Sequence, residues 1–216
     1  MTTGAMTVSS RRGMPEKRRA ITRSARAVFG REGYARASVD TIALEAGVSK
    51  RTIYNHFADK EQLFQTVALE GAEQVTEAVG ELLERHLRKI VDLREDLIAF
   101  GLERVAAVAE FPDHFALVRT IEAEVTRIPP IVLEVWKDVG PLSSHKKLAP
   151  YLRRIADRGL LVLDDAERAA NHFNLLTITD VNQRTFYGAL PLPEAEAAEI
   201  VVDGVDAFLR LYRAQD

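Results

Sequence analysis

Arg51 and Asn55 stand four residues apart and carry the two side chains whose hydrogen-bonding edges best match those of DNA bases. A guanidinium suits guanine O6 and N7, a carboxamide suits adenine N6 and N7, and a spacing of four puts both on one face of a helix. Lys50 can swing out from the helix start, Thr52 can meet a base edge or a thymine methyl, and Tyr54, His56 and Lys60 suit phosphates. At 100° per residue, Ile53 and Phe57 point the opposite way, with Val48 beneath them. A polar face set against an apolar one is merely solvated on most surface helices, so the surrounding residues must decide its meaning.

Those residues, 38–63, form a compact punctuated unit. Ser38 caps a short helix whose apolar positions Val39, Ile42, Ala43 and Ala46 share one face, with Asp40 in the first turn complementing the helix dipole. Gly47 can take the left-handed conformation that ends a helix at low cost, Val48 turns inward, and Ser49 caps a second helix through about Phe57. Two short helices across a glycine turn make a helix-turn-helix, in which the second helix enters the major groove. Ser38, Thr41 and Ser49, at the two helix starts, complete the candidate DNA-contacting set with Lys50, Arg51, Thr52, Tyr54, Asn55, His56 and Lys60.

Ile42-Ala43, Ala46-Gly47-Val48-Ser49, Thr52-Ile53-Tyr54, His56-Phe57 and Lys60-Glu61-Gln62-Leu63 resemble the DNA-binding signature of the TetR family of bacterial transcriptional regulators. The resemblance covers about residues 18–69. It implies an all-α protein, with a three-helix head on a larger helical body that dimerises and usually binds a small-molecule inducer. Arg51 departs from the pattern, because the family very often has glycine there; charge at that point adds a base or phosphate contact.

With 216 residues and 47% hydrophobic content the chain can bury a substantial core in one or two domains. The absence of cysteine excludes disulfides, thiolate metal sites and a cysteine nucleophile. No signal peptide and no membrane-length apolar run stands out, so a bacterial cytoplasmic protein is expected. The net charge of −3 hides a division: residues 1–57 hold 11 Lys and Arg against 4 Asp and Glu, leaving 18 against 28 in residues 58–216. A basic head suits phosphate neutralisation, and an acidic body is held off the duplex.

Taken in order, residues 1–14 read as a disordered basic arm, residues 15–60 as the DNA-binding head and residues 61–216 as a ligand-binding and dimerisation body. Pro15 suits the first turn of a helix to about Gly30 with Ile21, Ala25, Val28 and Phe29 inward. Asp59, with Gln62 three residues on, nearly forms a capping box for a long helix to about Leu87, which joins head to body and can lever a small shift into a larger one. Helices over about 93–110 and 113–127 follow, then one to about Gly140 and one over 144–159, which Pro150 should kink or split. The run 158–165, followed by Ala169-Ala170 and Phe173, is similar to the C-terminal domains of AefR-like regulators within the family. It would place a long helix over 165–189 and a last helix over 193–214.

That last helix carries Val201, Val205, Phe208, Leu209 and Tyr212 in a wide apolar stripe. Packing within its own domain accounts for part of such a stripe; the resemblance implies pairing across a two-fold axis, making these five the expected homodimer interface. Phe100, Phe111, Phe115, Trp136, Phe173, Asn174 and Thr177 are the candidates to line an effector cavity, since a body of this size exceeds what dimerisation needs.

An enzyme is the chief rival class. The five histidines, His56, His86, His114, His145 and His172, lack partners at catalytic or metal-binding spacing, and there is no HExxH, no glycine-rich phosphate loop and no GxSxG. Neither a cofactor nor a metal is therefore expected. The favoured expectation is a repressor that binds a two-fold symmetric double-stranded operator and is released by a small, largely apolar effector; a ligand-independent DNA-binding regulator with the same head is the alternative.

Overall fold

The computed structural model describes residues 8–214, and its regular elements among the described residues are helical, apart from one isolated bridge between Leu161 and Arg213. The head comprises α1 (Val8–Glu32), α2 (Val39–Glu45) and α3 (Lys50–Tyr54). The body comprises α4 (Lys60–Leu87), α5 (Leu93–Ala106), a 3₁₀ turn (Ala107–Glu110), α6 (Pro112–Ala123), α7 (Pro130–Val139), α8 (Pro141–Asp157), α9 (Ala166–Asn174), a π-helical turn (Leu175–Thr179), α10 (Asp180–Arg184) and α11 (Glu194–Tyr212). Of the arm expected over 1–14, residues 1–7 lie outside the described residues, and α1 begins at Val8, earlier than the Pro15 start. No described helix is long and apolar enough to cross a membrane.

Helix starts follow the three capping residues read from the sequence, Ser38, Ser49 and Asp59, and two more that the structure adds, Asp92 and Asp165. Each accepts a backbone N–H three residues on, which satisfies one of the amides a helix start leaves orphaned. Gln62 reaches back to the Ala58 N–H at 2.6 Å, one residue before the cap, so the box at Asp59 is displaced by a residue. Pro150, expected to kink or split a helix, lies inside α8 and does not split it. The helix expected over 165–189 stops at Arg184 and contains the π turn.

Two apolar clusters hold the chain together. The first joins the head to α6 and α7: Ile21, Phe29, Ile42, Ile53, Phe57 and Phe64 pack in one contiguous set with Phe115, Leu117, Val118, Ile121, Val132 and Trp136. Phe29 and Phe64 meet edge to face, with centroids 5.0 Å apart. The second cluster fills the far end of the body between α4, α5, α8, α9 and α11. The head therefore has no core of its own that closes at residue 60; it shares one with α6.

The expected dimer stripe is corrected here. Val201, Val205 and Phe208 have no accessible surface in a single chain and Leu209 only 6%, because α11 packs on α5, α9 and the π turn. Tyr212 is half-buried and bonds its hydroxyl to His172 Nδ1 at 2.7 Å. Side chains already covered within one chain have no surface left to bury against a second, so packing within the domain takes Val201, Val205, Phe208 and Leu209 and leaves only part of Tyr212 open.

Candidate nucleic-acid interface and body cavity

The turn between α2 and α3 is closed by two backbone bonds, Val48 N–H to Ala43 O at 3.0 Å and Gly47 N–H to Leu44 O at 3.2 Å, with Gly47 at φ 64°. This is the αL cap that a residue with a Cβ fills only at a cost. It sets α3 against the core through Ile53, while Arg51, Tyr54 and Asn55 stand exposed. The helix ends at Tyr54, with Asn55 as its C-cap, so Asn55 projects from the last turn.

The other candidate contacts are engaged to different degrees. Ser49 and Thr52 bond through their hydroxyls at 2.9 Å, as do Ser38 and Thr41, so these four are engaged first at the starts of the two helices. Lys50 pairs with Asp40 at 2.9 Å on the exposed side, and His56 is half-buried beside Phe57. Lys60 does not share the Arg51 face. Its ammonium donates to Ala37 O at 2.9 Å and Ala35 O at 3.3 Å and lies 4.9 Å from the Tyr34 ring centre, and desolvation lowers its pKa.

Sequence reading missed Glu124. From the end of α6 its carboxylate accepts the Ala35 N–H at 2.9 Å and lies where a Cβ on Gly33 would fall, and Gly33 itself is left-handed at φ 85°. Along the same helix Thr120 donates to Phe29 O at 3.3 Å, and Gly30 meets Ala116 closely. Glu124 gave no signal in the sequence because its partner is a backbone amide 89 residues away.

Above this junction lies a cavity of about 460 Å³, between the two apolar clusters, in the size range of small-molecule sites. Ala72, Val75, Thr76 and Val79 of α4 and His114, Phe115, Val118 and Glu122 of α6 form two walls; Arg104, Trp136 and the π turn with its neighbours close the rest. Of the seven residues expected to line it, Phe115, Trp136 and Asn174 do so. The other four are corrected: Phe100 and Phe173 pack in the second cluster, tilted with centroids 5.7 Å apart, Thr177 is buried and donates to Phe173 O, and Phe111 packs on the first cluster. Period alone could not separate these, because core-facing and cavity-facing aromatics repeat alike along a helix.

One end of the cavity is closed by a strained turn. Phe186, Tyr187 and Gly188 have φ of 47°, 51° and 77°, a left-handed run that costs non-glycine residues about 1–2 kcal/mol each. Arg119 holds it by donating to Tyr187 O at 2.7 Å, and the Tyr187 hydroxyl donates to Glu122 at 2.6 Å. Desolvation, followed by that carboxylate, pushes the Tyr187 phenol up to about 12. His114, also on the cavity wall, is pushed down to about 4, first by burial and then by the nearby Arg26 charge, so it is neutral near pH 7.

The chain matches two family descriptions, "Bacterial regulatory proteins, tetR family" over residues 21–67 and "AefR-like transcriptional repressor, C-terminal domain" over residues 95–214. It is 33% identical over 94 residues to the HTH-type transcriptional repressor AcnR of Corynebacterium diphtheriae, a match covering 44% of this chain and 46% of that one. Against AcnR of Corynebacterium glutamicum it is 39% identical over 64 residues, 30% of this chain and 34% of that one. The matched stretch thus spans less than half the length of either repressor. A solved TetR-family regulator of Mesorhizobium loti superposes with a TM-score of 0.83 at 29% identity, covering 93% of this chain and 98% of that one. The flavonoid-responsive regulator FrrA superposes at 0.71 and 27%, covering 94% and 100%. Capped helix-turn-helix, shared head and body core, and family match over more than half the residues agree, and the chain belongs to the TetR family of bacterial transcriptional regulators.

Proposed function

We propose that this chain is a repressor that binds a two-fold symmetric operator as a homodimer, and that a small effector in the body cavity lowers its affinity for DNA. One observation carries the reading. The two helices that wall the cavity, α4 and α6, both end on the turn that leads into α2, through Lys60 and Glu124. A molecule that spreads those walls would re-aim the turn and with it α3. Coupling of this kind needs two arrangements of one packed unit, each favoured by one ligand. The repressor name of the AcnR relatives and the flavonoid response in the name of FrrA accord with it.

In this reading Arg51 and Asn55 read base edges in two successive major-groove half-sites, Tyr54 and Lys50 contact phosphates, and the dimer spaces the heads. Reciprocity supplies the test. A compound that weakens operator binding tenfold must itself bind tenfold more weakly to the DNA-bound protein, a coupling of about 1.4 kcal/mol. Footprinting upstream of the chain's own gene would supply the operator, a thermal-shift screen the compound, and calorimetry with and without operator the two affinities. Equal affinities would remove the effector from the mechanism and leave a ligand-independent regulator; absence of any protected site would remove base reading itself.

A further inference from the structure

Arg104 and Arg94 lie on the same helix, α5, and meet opposite fates. Arg94 is bidentate to Asp206 of α11, at 2.7 and 3.0 Å. Arg104 has no hydrogen bond and no carboxylate within ion-pair distance among the described residues, although it sits in the cavity wall. Desolvation lowers its pKa to about 10, which leaves the guanidinium charged at neutral pH. Arg104 keeps part of its surface accessible and lines the cavity, with the protein packed densely around it. A desolvated cation with no counter-ion is costly, and such a group calls for an anion.

The remaining charge in the cavity does not supply one. Glu122 is exposed, accepts the Tyr187 hydroxyl and makes no ion pair with Arg104, Lys137 adds a second positive charge at the exposed side, and His114 is neutral. Two further polar atoms of wall residues lack partners but are covered by the protein itself and not turned to the cavity, His114 Nδ1 lying against Gly71. Trp136 Nε1 and His114 Nδ1 are buried without a hydrogen bond, in residues only 8% and 7% exposed. Val75, Val79, Val108 and Phe115 offer the same space an apolar surface.

We propose that the cavity takes an organic acid, with its carboxylate paired to Arg104 and its hydrocarbon body against the valines and Phe115. The proposal rests on the reading of this cavity as the effector site, and narrows the effector from an apolar molecule to an amphiphilic anion. A guanidinium can hold a carboxylate by two parallel bonds, and a charged bond of this kind discriminates against a neutral isostere by about tenfold or more.

The test uses 4-cyclohexylbutanoate and 4-cyclohexylbutanamide as probes on the full-length protein, with affinity by calorimetry and with the emission of Trp136, the sole tryptophan, reporting on the site. The acid should bind at least about tenfold more tightly than the amide, and Arg104→Met should abolish the difference while leaving amide affinity within about twofold. In the absence of probe, Arg104→Met should raise Tm, since it removes a desolvated charge without breaking a pair. Equal binding of acid and amide, with Trp136 responding to both, overturns the anion and leaves the effector site standing. Failure of both probes to shift emission or Tm overturns the anion together with the cavity reading beneath it. A lowered Tm in Arg104→Met, or loss of its dimer, shows a guanidinium already paired in the free protein and overturns the proposal.

Discussion

Glu124 and Lys60 grip Ala35 from two sides: the carboxylate accepts its N–H at 2.9 Å, and the ammonium donates to its carbonyl at 3.3 Å and to that of Ala37 at 2.9 Å. One comes from the end of α6 and the other from the start of α4, so the short turn before the helix-turn-helix is tied to both walls of the cavity. Glu124→Ala should leave effector affinity in the free protein unchanged and reduce the effector's influence on operator binding several-fold. Glu124→Gln, which keeps an acceptor oxygen, should retain most of it. Paired calorimetric and operator titrations measure both, and full coupling in the alanine variant would place the route elsewhere.

Arg51→Ala and Asn55→Ala should each cost about 1–3 kcal/mol of operator binding and relax preference at particular base pairs. Lys60→Ala should behave differently, because its ammonium is committed inside the head. It should lower Tm, with operator affinity falling for all sequences in step. Competition binding against a panel of single-base operator variants separates the two patterns.

Val205→Glu and Phe208→Glu test the corrected role of the α11 stripe. Each places an unpaired carboxylate where the native side chain is fully buried, among Phe100, Phe173 and their neighbours, at a cost of several kcal/mol. Folding itself should fail or Tm should fall sharply. A variant that keeps its native Tm yet sediments as a monomer would return the stripe to the interface.

His114 makes stability depend on pH with a definite sign. Its pKa in the fold is depressed to about 4, against about 6.5 unfolded, so between those values the unfolded chain binds a proton that the folded chain refuses. Stability should therefore fall as the pH is lowered from about 6.5 to about 4, by up to about 1.4 kcal/mol per pH unit from this residue, and this loss should be complete below that window. His114→Gln should flatten that part of the curve, whatever its effect at pH 7. Denaturant titrations at steps across the window check it, and an unchanged slope in the variant would assign the dependence to other groups.

The helix-turn-helix was legible because everything that defines it is local. Ser38, Gly47, Ser49 and Asp59 act on amides within three or four residues, and the opposition of Arg51 and Asn55 to Ile53 and Phe57 follows from helical period. Residue types and spacing were therefore sufficient for the helices of the head, the opposition of its polar and apolar faces and the all-helical class. What only the tertiary structure decided was which neighbour each apolar face meets. Val205 and Phe208 look the same in sequence whether they face α5 or a second chain, and Phe100 and Phe115 repeat alike although one is core and the other wall. The uses of Glu124, Lys60 and Arg104 were hidden for a related reason: a charged side chain is defined by the partner it finds or lacks across the fold, and no local pattern encodes a backbone amide 89 residues distant or the absence of a counter-ion.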